Sequence, residues 1–180
     1  NGRREPFLAA FVVGADGARS RIAGALGLPS NRRFLLGAED VFATESATDP
    51  VFRCFIDPVR APGYIAWFAS ADGFIHAGTA GNTGAFDPVA SLQSLLEDWR
   101  QRGWLEGALH MERRAGLIPC GGILPRIVNS SGLLVGDAAG APSPLSAGGL
   151  DPCLRLSAEA AVVIARYLRS GDPVCLRDYD

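Results

Sequence analysis

Leu133-Leu-Val-Gly-Asp-Ala-Ala-Gly-Ala-Pro-Ser-Pro-Leu-Ser-Ala-Gly-Gly-Leu150 is the stretch whose reading decides the fold. Leu133-Leu-Val135 is a short apolar run suited to a fully buried strand. Gly136 follows it, and Asp137 then stands at the strand's carboxyl end, where open α/β sheets bind nucleotides in a crevice. A carboxylate there suits a polyol, because it accepts hydrogen bonds and carries a full charge. Pro142 and Pro144 stiffen the loop. Gly148 and Gly149 open a helix over 149–169, rich in Ala and Ser, whose free N–H groups can hold an electron-rich ligand atom. A proline-rich connector before an ordinary helix is the plainer alternative.

The amino-terminal end has the same style. Phe7–Val13 reads as a strand, Gly14-Ala-Asp-Gly17 as a tight turn, and 19–26 as a short helix stopped by Gly27 and Pro29. Glycine at 14 and 17 lets the backbone turn sharply and approach a ligand. Asp16 can accept hydrogen bonds from backbone amides or from sugar hydroxyls, and a generic strand-turn-helix with a capping aspartate would look similar. Asn1-Gly2 is the favoured pair for a tight hairpin turn. It predicts that a partner strand precedes residue 1 and that the chain begins inside a domain.

Between these ends lie β-type runs at 34–42, 51–56, 64–69 and 74–79, the last two joined by Ser70-Ala-Asp-Gly73, a hairpin signal. Asp87-Pro88 gives an N-cap and a first-turn proline. Val89, Leu92, Leu95, Leu96 and Trp99 then recur at helical spacing as far as Gly103. A strand over 108–118 leads to Ile118-Pro-Cys-Gly-Gly122. The predicted fold class is therefore α/β plus α+β. A partial nucleotide-binding, Rossmann-like domain (1–30 and 120–180) is interrupted by a domain with a mostly antiparallel sheet and a helix (31–119).

Composition narrows the function classes. The 180 residues carry 48% hydrophobic and 20% charged residues, as in an ordinary globular protein. A net charge of −2 provides no field for nucleic acid or anionic lipid. Cys54, Cys120, Cys153 and Cys175 form no CxxC pair, which argues against a zinc or iron–sulfur centre and for free buried thiols in a reducing cytoplasm. No apolar run approaches the roughly 20 residues that span a bilayer. The expected location is cytoplasmic, with peripheral membrane contact left open. His76 and His110 stand isolated, and Arg113-Arg114 reads as a solvated strand edge.

Val12-Val-Gly-Ala-Asp-Gly-Ala-Arg-Ser20 and the 133–150 stretch together resemble the two internal flavin motifs, GADGxxS and GDAAxxxxPxxxxG, of the family containing aromatic hydroxylases and geranylgeranyl reductases. They occur in that family's order, with an intervening domain of suitable length. The resemblance implies bound FAD, with Asp137 on its ribityl chain. The backbone around Gly136, Gly148 and Gly149 would lie at the flavin, and Asp16 and Gly17 would support the flavin and the reductant side. Gly140 stands where the hydroxylase branch has His, as in the geranylgeranyl-reductase branch. Ala23 replaces a usual Arg. The GxGxxG element that cradles the FAD pyrophosphate is absent from the 180 residues.

Pro62-Gly-Tyr-Ile-Ala-Trp-Phe-Ala-Ser-Ala-Asp-Gly73 resembles the PGYxxWxxP stretch that lines the substrate cavity of geranylgeranyl reductases, with Ala69 in place of the second Pro. Tyr64 and Trp67 offer rigid apolar surface with a polar edge, suited to a lipid-like substrate or equally to a sheet core. The resemblance implies an enzyme that takes hydride from NAD(P)H to FAD and reduces a hydrophobic, isoprenoid-like small molecule. An FAD-dependent monooxygenase is the alternative within the class, and a non-enzymatic binding or interaction module is the alternative outside it.

Overall fold

A computed structural model describes residues 6–45, 49–144 and 146–180. The Asn1-Gly2 turn lies outside the described residues. The chain divides into two compact units, one formed by residues 1–33 and 119–180 and the other by residues 34–118.

The first unit contains a three-stranded sheet in the order β1-β8-β7. Strand β1 (Val12–Gly14) runs parallel to β8 (Gly132–Leu134), and β7 (Val128–Asn129) pairs antiparallel on its other side. Leu133 and Leu134 are fully buried, as an apolar run in a parallel pair requires. Helix α1 (Arg21–Ala25) follows β1, and α3 (Leu150–Ser170) packs Ala160 and Val163 into the same core. Gly171, at φ 69°, ends α3, its N–H donating to the Tyr167 carbonyl. The buried Tyr179 hydroxyl donates to the Leu134 carbonyl at 2.8 Å and ties the end of the chain to β8.

The expected strand over 7–13 is shortened to Val12–Gly14. Its partner β8 is itself three residues long, so residues 6–11 have no ladder to join among the described residues. Phe7 and Leu8 are 88% and 106% exposed, whereas Phe11 packs edge-on against Tyr167, with ring centroids 5.5 Å apart.

The second unit is a five-stranded sheet ordered β3-β4-β5-β2-β6 with one helix. Its strands are β2 (Phe34–Ala43), β3 (Val51–Phe55), β4 (Ala66–Ala71), β5 (Phe74–Asn82) and β6 (Leu109–Pro119). Pairing is antiparallel for β2–β5, β3–β4 and β4–β5. The hairpin between β4 and β5 turns on Asp72 and Gly73, at φ 51° and 79°. Two left-handed residues suit a type I′ turn, and the Asp-Gly pair predicts one. Helix α2 (Pro88–Gln101) starts where Asp87 accepts from the Val89 and Ala90 amides at 2.9 and 3.1 Å. It buries Leu92, Leu95, Leu96 and Trp99 against Ala38, Phe42, Ala66, Phe68, Ile75 and Ala77 on one face of the sheet.

Three expectations about polar groups need correction. The four thiols are free, but none is buried, and Cys54 is exposed. His76 and His110 are not isolated: His76 Nδ1 lies 3.2 Å from Glu39 and His110 Nε2 3.5 Å from Asp40. Arg113 is not a merely solvated cation, because its guanidinium forks onto the buried Asp40 carboxylate at 2.6 and 2.7 Å. Register across strands, invisible in a linear reading, brings these groups together.

Candidate functional site

The end of β8 positions Asp137. The chain leaves the strand through Gly136, at φ 55°, into a single 3-10 turn, Gly136–Ala139. The turn is held by Gly140 N–H to Asp137 O and Ala141 N–H to Gly136 O, each 3.1 Å, and by Leu124 N–H to Ala139 O at 3.0 Å. The Asp137 carboxylate is half-buried, and among the described residues it has neither a hydrogen-bond donor nor an ion-pair partner. Burial without a compensating donor pushes its pKa up.

Gly149 caps α3, and no side chain caps the helix's first turn. A Cβ at Gly149 would lie 3.3 Å from Pro142 and 3.6 Å from Asp137 Oδ1, so the glycine keeps the space beside the carboxylate clear. Pro152 removes one further N–H from the first turn. The Gly148 N–H is not free as expected, since the Ser146 hydroxyl accepts from it at 3.3 Å.

Asp16 stands at the end of β1. Its two oxygens accept from the Ser20 hydroxyl at 2.5 Å and from the Arg21 and Ile22 amides at 2.7 and 3.1 Å. Backbone amides, one of the two partner classes foreseen for it, are present. Burial raises its pKa, but the bonds from Ser20, Ile22 and Arg21 outweigh that and hold the carboxyl below its ordinary value. Gly17, at φ 82°, completes the turn. Asp16 thus fixes the start of α1, while the Asp137 carboxylate has no partner among the described residues.

In the second unit, Trp67 and His76 alternate with the residues buried under α2, so they lie on the opposite sheet face. Trp67 pairs in register with Gly78, and Gly78 with Glu39. The glycine between them lets the indole reach across, and Trp67 Nε1 donates to Glu39 Oε2 at 2.9 Å. Trp67, Glu39, Gly37, Arg114, Gly116 and Ile118 line a groove of about 240 Å³. Tyr64 is half-buried at the turn before β4, and its phenol pKa is raised by burial and by the nearby Cys54. Neither Tyr64 nor Trp67 belongs to the core under α2. Glu39 was not singled out in the sequence, because only strand register shows it two strands away from Trp67.

A parallel strand ending in a carboxylate with no partner among the described residues, followed by a glycine-opened helix, belongs to a partial Rossmann-like fold that an antiparallel-sheet unit interrupts in sequence. No protein-family model matches the chain. It is 28% identical over 169 residues to digeranylgeranylglycerophospholipid reductase 2 of Methanosphaera stadtmanae, covering 91% of this chain and 42% of that protein. It is 31% identical over 168 residues to menaquinone reductase of Mycolicibacterium smegmatis, covering 83% of this chain and 40% of that protein. The crystal structure of a geranylgeranyl bacteriochlorophyll reductase-like protein from Thermoplasma acidophilum superposes with a TM-score of 0.79 at 21% identity, covering 95% and 45% of the two chains. Over most of its length the chain is thus similar to proteins named as geranylgeranyl-type lipid and menaquinone reductases. It spans about two fifths of the length of the curated relatives it matches. Among the described residues no helix is long and apolar enough to cross a membrane.

Proposed function

We propose that the protein works with FAD to pass reducing equivalents from NAD(P)H to a hydrophobic, isoprenoid-like substrate. When bound, FAD supplies the two-electron chemistry, and the protein supplies binding, orientation and charge. The observation that carries this reading is the half-buried Asp137 carboxylate, which has no partner among the described residues and sits against the bare backbone of Gly149. It fits the ribityl hydroxyls, which are donors.

Asp137 would hold the polyol. Gly136 turns the chain so that the carboxylate stands beyond the strand. The backbone at Gly148 and Gly149 would lie at the flavin ring, and the amino-terminal end of α3 would favour negative charge there by up to ~2 kcal/mol. Asp16 and Gly17 contribute by holding the turn after β1. Tyr64 and Trp67 line the substrate side, where the Trp67 groove offers apolar surface and glycine-lined walls. The relatives named for prenylated lipid and quinone substrates support that substrate class.

The test uses the full-length protein. FAD binding should weaken roughly tenfold to a hundredfold in Asp137→Ala, the usual effect of losing a charged hydrogen-bond partner. NADPH oxidation should then proceed without oxygen in the presence of an isoprenoid alkene, with the saturated product found by mass spectrometry. Turnover that needs oxygen and yields a hydroxylated product would assign the protein to the monooxygenases instead. A protein that binds no flavin would remove both readings.

A further inference from the structure

The Asp137 loop is held by a residue that lies in neither glycine-rich segment. Asn31 follows α1 and the Pro29 stop, and its side-chain amide donates to the Ala18 carbonyl at 3.0 Å and to the Asp137 carbonyl at 2.7 Å. Both partners are carbonyls, which only the NH2 end can serve, so the orientation of the amide is fixed by its surroundings. Ala18 belongs to the turn after β1. Asp137 belongs to the turn after β8 and lies 106 residues along the chain from Asn31. One side chain thus joins the two loops that flank the end of the parallel strand pair.

The other end of the amide has a steric role. A Cβ at Gly140 would fall 2.9 Å from Asn31 Oδ1 and 2.4 Å from the Gly122 carbonyl, and Gly140 has φ 75°. Position 140 must therefore be glycine where Asn31 fills that space. The Asp137 carbonyl accepts two bonds, from Asn31 and from the Gly140 N–H at 3.1 Å. Rotating the peptide that follows Asp137 would break both. The carbonyl of Asp137 is held by two bonds while its carboxylate has no partner among the described residues, a combination that leaves the side chain available to a group outside the chain.

We propose that Asn31 is a positioning residue of the flavin site: by binding the Ala18 and Asp137 carbonyls together, it fixes the peptide that carries the Asp137 carboxylate and so sets FAD affinity. The proposal rests on the reading of Asp137 as the ribityl acceptor.

The experiment is a double-mutant cycle on the full-length protein, with FAD titrated by quenching of flavin fluorescence in wild type, Asn31→Ala, Asp137→Ala and the double variant. Asn31→Ala should weaken FAD binding roughly tenfold, the effect expected for losing two hydrogen bonds that orient a third group. In the Asp137→Ala background the same change should add less than about twofold, because nothing is left to position. Asn31→Asp keeps the size of the side chain and its packing on Gly140 but loses both donors. It should weaken binding at least as much as Asn31→Ala, and it carries the cycle if Asn31→Ala does not fold. Losses that multiply in the double variant would make Asn31 a general scaffold residue and overturn the proposal. So would unchanged affinity in Asn31→Ala while Asp137→Ala is impaired. Unchanged affinity in Asp137→Ala would instead remove the ribityl reading, and this inference with it.

Discussion

Trp67 lies over Gly78, its register partner on the neighbouring strand, so closely that a Cβ at 78 would come within 2.2 Å of the indole ring. The missing side chain is what allows the indole to cross β5 and donate to Glu39 on β2. Three strands are thereby joined by a side-chain bond in addition to their ladders. The same contact fixes one wall of the groove that runs past Arg114 and Ile118.

Gly78→Ala should displace the indole and break its bond to Glu39. Overpacking of this kind costs about 1–3 kcal/mol, which denaturant unfolding resolves. The shift in tryptophan emission would report Trp67 in particular, because Trp99 and Trp104 pack with each other and with Phe55 and Phe68 on the α2 side. Glu39→Gln keeps an acceptor for the indole and should leave both readouts close to wild type. A Gly78→Ala protein as stable as wild type, with unchanged emission, would show that the indole has room to move.

Asp40 is 2% exposed and holds Arg113 through two bonds, with His110 nearby. Burial raises its pKa, but the Arg113 bonds and charge, with a contribution from His110, outweigh that and hold the carboxyl below its ordinary value of 3.8. A depressed carboxyl pKa stabilises the fold above the unfolded value, and that stabilisation is lost as pH falls through the folded one. Arg113→Ala leaves the carboxylate buried and alone. Because the Arg113 side chain is itself 35% exposed, the expected loss at neutral pH is near the lower end of the usual range, ~3 kcal/mol. The difference between variant and wild type should shrink below pH 3.8, where the unfolded-state carboxyl is protonated. A difference that stays constant from neutral to acid pH would place the effect in packing, not in charge.

Local signals in the sequence were sufficient wherever a few adjacent residues dictate the backbone. Asp72-Gly73 specifies its turn and Asp87-Pro88 its helix start. The Leu92, Leu95, Leu96, Trp99 spacing specifies the buried face of α2. Asp137 was legible for a similar reason, since an apolar strand ending in Gly-Asp puts the carboxylate beyond the sheet. Asn31, Glu39 and the Asp40–Arg113 fork were not, because each acts through partners far away in sequence whose meeting depends on register and loop packing. The Phe7–Val13 strand failed on the same ground. An apolar run becomes a strand only as far as a neighbour extends, and β8 supplies three residues.

The last prediction concerns the Asp137 carboxylate when no flavin is bound. Its pKa is raised by burial alone, so the charged form is less favourable in the folded chain than in the unfolded one. The sign is opposite to that at Asp40. A raised carboxyl pKa leaves stability intact at low pH, below the unfolded value, and subtracts from it as pH rises through the folded one. Asp137→Asn should therefore increase the melting temperature of the flavin-free protein at pH 7 and make no difference below the ordinary value of 3.8. With FAD in excess the order should reverse, because ligand binding to the native state stabilises the form that binds more tightly. Differential scanning calorimetry at two pH values, with and without FAD, measures all four cases. If Asp137→Asn melts below wild type in the absence of flavin, the carboxylate has a structural partner, and its role is to tie the loop to α3. If it melts higher without flavin and lower with it, Asp137 is a group kept at the expense of the fold for the ligand it binds.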